Sequence, residues 1–485
     1  MLTFSAAPFG VSYFYQQPTS VLNQILSVNY FLGFLFTIFF MLIADHFGPS
    51  GNLIVCIITS VLGVLFRLFS IYIMVHSKDT AFIFYYLSCI SCMAIGNSAN
   101  INTLKLSSVW FPDDLKAVGT GIATLGGALG ILVANAVFPK IIISTASYSE
   151  LYFATGIAAL ILGIGAFSAL MIFYLNDWSA CPRGPEFVSL TAEQFSVRYN
   201  SVSSEDGKTG HSEPFISSLK RNAKSCYQLL DFCSEKNKIN RSRIRGFLPL
   251  AVSYMLLLSM GFTIIVALPQ ITCTFGYDYS LVTIGSLLAY VLPGIFSNII
   301  TTVVAGKVKR YDRIYFTFLW FQGVCMWTFT FIITTPKTDF DISSIEILII
   351  LIFGIYGLFT SPCLPLALEL CVECSYPIDA GTASGLMLLI FQLGWSFFSW
   401  GFYYFAKPID VNSVNSDGFE VTCKIADDSL EVPEDFRNSL IFLSACFCGI
   451  LAICGVVIKI PWLQRNYNEE SRNQDKGHDN EVSKI

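Results

Sequence analysis

The feature that most constrains this chain is a recurrence. Apolar runs of about twenty residues, the length an α-helix needs to cross the hydrocarbon core of a bilayer, return along its whole length. They fall near residues 1–17, 20–44, 52–75, 80–106, 117–143 and 151–175. After a long polar break, six more follow near 247–273, 279–306, 314–335, 344–371, 380–406 and 438–461. In lipid every backbone polar group must be satisfied within its own segment, so such runs are helices. The pattern predicts an all-α membrane protein with twelve transmembrane helices in two six-helix halves. The expected domains are an N-terminal half at 1–175, a cytoplasmic linker at 176–246, a C-terminal half at 247–462 and a cytoplasmic tail at 463–485. Only 13% of the residues are charged, against about 25% in soluble domains, so the lipid bilayer is the expected surrounding.

Orientation comes from Lys and Arg in the loops. Eleven of them lie between Asn176 and Gly246, while the loops on the other side hold Lys78, Lys140, Lys337, Lys407, Lys424 and Arg437. The positive-inside rule then places both termini and the linker in the cytoplasm. The first half of the linker (SVSSEDGKTGHSEP) has the composition of a disordered segment. The basic run from Lys220 to Arg245 is expected along the inner membrane surface. The chain is apolar from Met1 onward and lacks the positive start and cleavage site of a signal peptide, so helix 1 is read as short or as beginning upstream of this sequence. A net charge of −5 with no basic domain argues against nucleic acid as a partner. The plasma membrane and a monomeric state are the expectations.

No enzyme constellation is present. There is no GxSxG, HExxH or phosphate loop, so neither cofactor nor metal is expected. The fifteen cysteines mostly lie inside apolar runs, as do Cys56, Cys89, Cys92, Cys325 and Cys446, and read as small buried apolar residues. The run Gly119, Gly121, Gly126, Gly127, Gly130 resembles a nucleotide loop. It sits within an apolar helix with no preceding strand, and reads instead as a close-packing face.

Polar residues inside the spans carry the functional signal. Asn97 and Asn100 are three apart on the fourth span, and Phe262 and Gln270 lie on the seventh. On the eleventh, Ser384, Gly385, Gln392, Ser396 and Ser399 share one face by helical spacing, with Trp395 beside it. Interhelical hydrogen bonding is one account of each. A central cavity for a small-molecule substrate is the other, since transporters place substrates at such midplane interfaces. Arg67 and Lys105 are intramembrane by position, with Lys105 near enough to the inner end to snorkel. Glu369 and Glu373 lie one turn apart at the inner end of the tenth span. No Asp or Glu occupies the middle of any span, which favours facilitated transport over proton coupling.

The stretch PLALELCVECSYPIDAGTASGL, from Pro365 to Leu386, resembles the feline leukaemia virus subgroup C receptor-related transporters of the major facilitator superfamily. The matching positions are Pro365, Leu366, Glu369, Val372, Glu373, Tyr376, Pro377, Gly381, Thr382, Ser384, Gly385 and Leu386. Supporting pieces are Val109-Trp110-Phe111, Gly130, and Asp45 with Gly48 in the loop after helix two. The resemblance implies transport of choline or ethanolamine, with haem export an older assignment and vitamin B6 transport implicated for a relative. It implies a quaternary ammonium held between a helix 1 tryptophan and a helix 7 tyrosine, with glutamines from helices 4 and 11. Gln392 falls on the helix 11 glutamine, Phe262 on the helix 7 tyrosine and Asn97 near the helix 4 glutamine. The helix 1 tryptophan falls on Met1, so Phe4, Tyr13 or Tyr15 would substitute. In the loop after helix two, the family's basic residues are replaced by His46 and Ser50, which implies a weaker gating contact.

The leading expectation is therefore a uniporter for a small organic cation or zwitterion, bound by Gln392, Phe262, Asn97, Gln270, Asn100 and Trp395. Asp45, Gly48, Glu369 and Glu373 are expected in gating or structural roles. Another metabolite such as a vitamin is the first alternative. Haem is the second, although no histidine lies within a span to ligate it. A non-transporting receptor or scaffold is the alternative of a different class.

Overall fold

The computed structural model describes residues 8–46, 48–110, 116–141, 148–175, 238–277, 279–308, 311–335, 342–375, 380–408 and 434–457. Among the described residues the chain forms twelve α-helices: α1 Pro8–Tyr15, α2 Thr19–His46, α3 Gly48–Ile73, α4 Lys78–Trp110, α5 Lys116–Ile141, α6 Tyr148–Leu175, α7 Lys238–Thr274, α8 Gly285–Val308, α9 Tyr311–Thr334, α10 Ile342–Ser375, α11 Ala380–Tyr404 and α12 Arg437–Val457. Eight of them carry spans long and apolar enough to cross a membrane. Large apolar side chains such as Phe153, Phe167, Phe296 and Phe331 stand exposed on the outward faces, an arrangement suited to lipid and costly in water.

Three departures from the sequence reading have physical causes. First, α7 starts at Lys238, not near 247. Part of the basic run expected along the membrane surface therefore continues α7, because Lys and Arg are good helix formers. Second, the all-α fold holds, and a small antiparallel pair is added to it: β1, Lys407–Pro408, lies against β2, Glu434–Asp435, with Lys407 opposite Asp435. Third, the expected loop between the second and third spans almost vanishes, since α2 runs to His46 and α3 opens at Gly48.

The bundle has two distinct ends. The hairpin end carries the α1–α2 turn, the end of α7, the β pair and the start of α12, where the Arg437 guanidinium lies 5.6 Å from the Phe275 ring centre. The linker end carries the end of α2, the start of α5, the end of α10 and the start of α11. Cys273, near the hairpin end of α7, is disulfide-bonded, a correction to reading the cysteines as uniformly apolar filler. Cys89 and Cys325 are buried as expected, whereas Cys56, Cys92 and Cys446 are only half-buried.

Burial is uneven. The apolar window of α7 is 83% buried and that of α6 only 17%, so α7 is central and α6 peripheral. The main core joins α7–α12 to Tyr30, Phe40, Met41 and Ala44 of α2. A second core, including Val11, Tyr15, Leu22, Ile71, Tyr85 and Phe138, holds α1–α6 together. Helix α2 thus belongs to both cores. In the main core α8 and α10 cross so closely that a Cβ at Gly357 would overlap the Tyr290 carbonyl, the small-residue packing expected between membrane helices. The glycine run of α5 behaves this way only in part. A Cβ on Gly121 would lie 2.9 Å from Asn298 Oδ1 of α8, whereas Gly126, Gly127 and Gly130 have nothing within 4 Å. At those three positions the close-packing expectation fails.

Candidate functional site

Three rings from three helices stack at the seam where α2 meets α7 and α11. Trp395 of α11 lies 3.6 Å, centre to centre, from Tyr30 of α2, with the planes 19° apart. On its other side Phe262 of α7 stacks at 4.9 Å and 20°. Phe391 tilts against the same indole at 5.2 Å. The stack thus joins the first six helices to the last six through π-faces. Gln392, one turn before Trp395 on α11, is buried at 2% exposure. Residues three apart share a helix face, so this amide lies beside the rings along the same seam.

Toward the hairpin end the seam becomes polar and uncharged. Asn23 of α2 and Gln270 of α7 form a reciprocal amide pair: each side-chain nitrogen donates to the other's oxygen at 3.1 Å. Ser27 and Ser399 share a hydrogen bond of 3.0 Å, and Ser396 Oγ donates to the Ser27 carbonyl at 3.0 Å. Toward the linker end the contacts change character. Thr120 Oγ1 of α5 donates to Glu369 Oε1 of α10 at 3.0 Å, with both side chains buried. Gly385 of α11 faces Met41 of α2 so closely that a Cβ there would sit 2.7 Å from the thioether sulfur.

Of the residues expected to bind substrate, the structure brings Phe262 and Trp395 into direct contact and sets Gln392 beside them. Gln270 is committed to Asn23 instead. The shared face on α11 holds as a face, and for Ser396 and Ser399 interhelical hydrogen bonding is the account the structure supports. Asn97 and Asn100 lie on α4, and their side chains fall outside the described residues, as do those of Asp45, Glu373 and Lys105; the surroundings of Gly48 are likewise not described. Phe4, like Met1, lies outside the described residues. Tyr13 is exposed, and Tyr15 is buried in the second core with its hydroxyl sharing a 2.8 Å hydrogen bond with Ser70. Neither described tyrosine takes the place of the helix 1 ring. The aromatic that reaches the stack is Tyr30, which sequence reasoning missed. The signal was there: Asn23, Ser27 and Tyr30 follow i, i+4, i+7 spacing, a polar stripe along one face of α2. Arg67 lies within the apolar span of α3 and is buried. Its Nη2 donates to Cys89 Sγ at 3.6 Å, and its guanidinium lies 5.5 Å from the Tyr85 ring centre.

The chain matches the Major Facilitator Superfamily over residues 1–399. It is similar to solute carrier family 49 member A3 of Xenopus tropicalis, 25% identical over 296 residues that make up 60% of this chain and 49% of that protein. The chain spans about half the length of the curated relatives it matches. Among solved structures, the peptide transporter POT in complex with alafosfalin aligns with 94% of each chain at a TM-score of 0.54 and 13% identity. The Escherichia coli fucose:proton symporter FucP aligns with 94% of this chain and 95% of its own at 0.51 and 11%. At such identities the likeness bears on the fold alone. The chain belongs to the Major Facilitator Superfamily, with a helical, multi-pass membrane architecture.

Proposed function

We propose that this transporter moves a small organic cation or zwitterion, choline or ethanolamine first, by facilitated alternating access as a uniporter. The observation that carries the reading is the Tyr30–Trp395–Phe262 stack, with Gln392 one turn away. A quaternary ammonium cannot donate hydrogen bonds, but ring faces attract it by ~0.5–2 kcal/mol each. Tyr30 and Phe262 cover both faces of the indole, so a cation enters by parting the rings and replacing ring–ring contact with cation–ring contact. Binding is thereby tied to movement of α2 against α7 and α11, which is what a carrier needs. The resemblance of Pro365–Leu386 to the feline leukaemia virus subgroup C receptor-related family supports this substrate class. The solute-carrier name of the relatives agrees with transport and names no substrate.

The hairpin end faces outward in this reading, and both termini and the 176–246 linker face the cytoplasm. The Lys and Arg distribution supports that orientation. So does the disulfide at Cys273, because such bonds persist in oxidising compartments. At the plasma membrane an inside-negative potential drives a monovalent cation inward by ~2.3 kcal/mol per 100 mV, so a monomer needs no co-ion. The test is uptake of labelled choline by cells expressing the chain, beside Gln392→Ala and Phe262→Ala at matched surface expression. Saturable uptake that falls on depolarisation and is lost in both variants supports the reading. Absent choline and ethanolamine uptake from well-expressed protein removes it.

A further inference from the structure

Among the described residues of α2, the buried polar side chains are satisfied except at one level. Asn23 is paired with Gln270, Ser27 with Ser399, and Thr37 donates to the Gly33 carbonyl at 2.8 Å. Between them Asn29 is fully buried, and neither its Oδ1 nor its Nδ2 has a hydrogen-bond partner. The adjacent Tyr30 hydroxyl, 2% exposed as a residue, is also without one. Buried polar groups in folded chains are nearly always satisfied, so an amide with both functions unspent calls for a partner of another kind.

The position of Asn29 says where that partner would sit. On its own face of α2, Leu22 and Ile25 pack into the second core, while Phe36 and Phe40 pack into the main core. Asn29 lies between the two, at the break in apolar packing, and beside the residue that covers one face of Trp395. The chemistry says what the partner carries. A primary amide offers one acceptor and two donors, and a ligand hydroxyl can donate to Oδ1 while accepting from Nδ2. A methylated ammonium can do neither, and a carboxylate only accepts.

We propose that Asn29 is a specificity-determining residue of the transport site, which takes the hydroxyl of a hydroxyalkylammonium substrate whose cationic end lies on the rings of Tyr30, Trp395 and Phe262. This rests on the cation-transport reading above and narrows it to alcohols. The hydroxyl repairs the deficit at Asn29, so substrate is bound more tightly than its deoxy analogue.

The test uses the full chain in lipid nanodiscs and two probes, choline and ethyltrimethylammonium, the same cation with the hydroxyl replaced by hydrogen. The wild-type chain is expected to bind choline about tenfold more tightly or better, and Asn29→Leu to bring choline down to the level of ethyltrimethylammonium. The unliganded Tm of Asn29→Leu is expected to hold or rise, because the amide has no partner to lose. Asn29→Ser serves as the second variant and is expected to retain part of the preference. Unchanged choline preference in both variants overturns the proposal, as does a drop of several degrees in unliganded Tm, which marks a purely structural residue. Equal binding of the two probes by wild type overturns it and leaves cation transport standing. Binding of neither probe by wild type removes both readings together.

Discussion

The two ends of the seam between the first and last six helices are closed by different chemistry. At the hairpin end the closure is made of neutral hydrogen-bonding pairs, Asn23 with Gln270 and Ser27 with Ser399. At the linker end the described residues show close approach at Gly121 and Gly385 and a carboxyl contact between Thr120 and Glu369. Neutral pairs contribute about 0.5–1.5 kcal/mol each net and re-form readily after separation. Shape-matched glycine contacts either fit or do not. Separating the hairpin end therefore exchanges hydrogen bonds one pair at a time, whereas separating the linker end loses packing contacts.

The largest break in that comparison is steric. Gly121→Leu drives a side chain into Asn298 and Thr302, so the linker end cannot close. Transport is expected to fall more than about tenfold, while cysteine probes placed at the linker end label faster; unaltered labelling would contradict the packing account. Next is Gln270→Leu, which leaves Asn23 buried beside an apolar group and costs about 1–3 kcal/mol of stability. Adding Asn23→Leu recovers most of that loss in a thermal double-mutant cycle; strict additivity would show that the amide pair is not coupled.

Smaller still is Thr120→Val, expected to cost about 1 kcal/mol in denaturation, with Ser399→Ala below it. Last is a pH effect at the hairpin end. Burial, aided by nearby Glu346, pushes the Tyr277 phenol up to about 12, from an ordinary value of about 10. Between those two values the unfolded chain ionises while the folded one holds its proton, so stability falls as pH rises through that window. Tyr277→Phe is expected to remove this part of the fall, measured as Tm against pH.

The fold was legible because the bilayer imposes its thickness on the sequence, and helix boundaries followed from run length. Where the helix outran the apolar run, as at Lys238, hydropathy had nothing to report. The candidate site was legible in pieces. Phe262, Trp395 and Gln392 were each marked as polar or aromatic exceptions within apolar runs, and the structure brings them together. Gln270 carried the same mark and proved to be half of a pair, because a glutamine reads alike whether its partner is a ligand or an asparagine on another helix. Tyr30 was passed over since one tyrosine in an apolar span is unremarkable until its neighbour is known. Which helix lies beside which is tertiary information, and the i, i+4, i+7 stripe on α2 gains meaning only from α11.

That stripe has a mechanical consequence. Asn23, Ser27, Tyr30 and Met41 place contacts with α7 or α11 along the length of one continuous helix. A stiff rod pinned at both extremities and at a pivot between them cannot lift one tip without loading the other. Helix α2 is in that sense a see-saw, with the aromatic stack as its fulcrum.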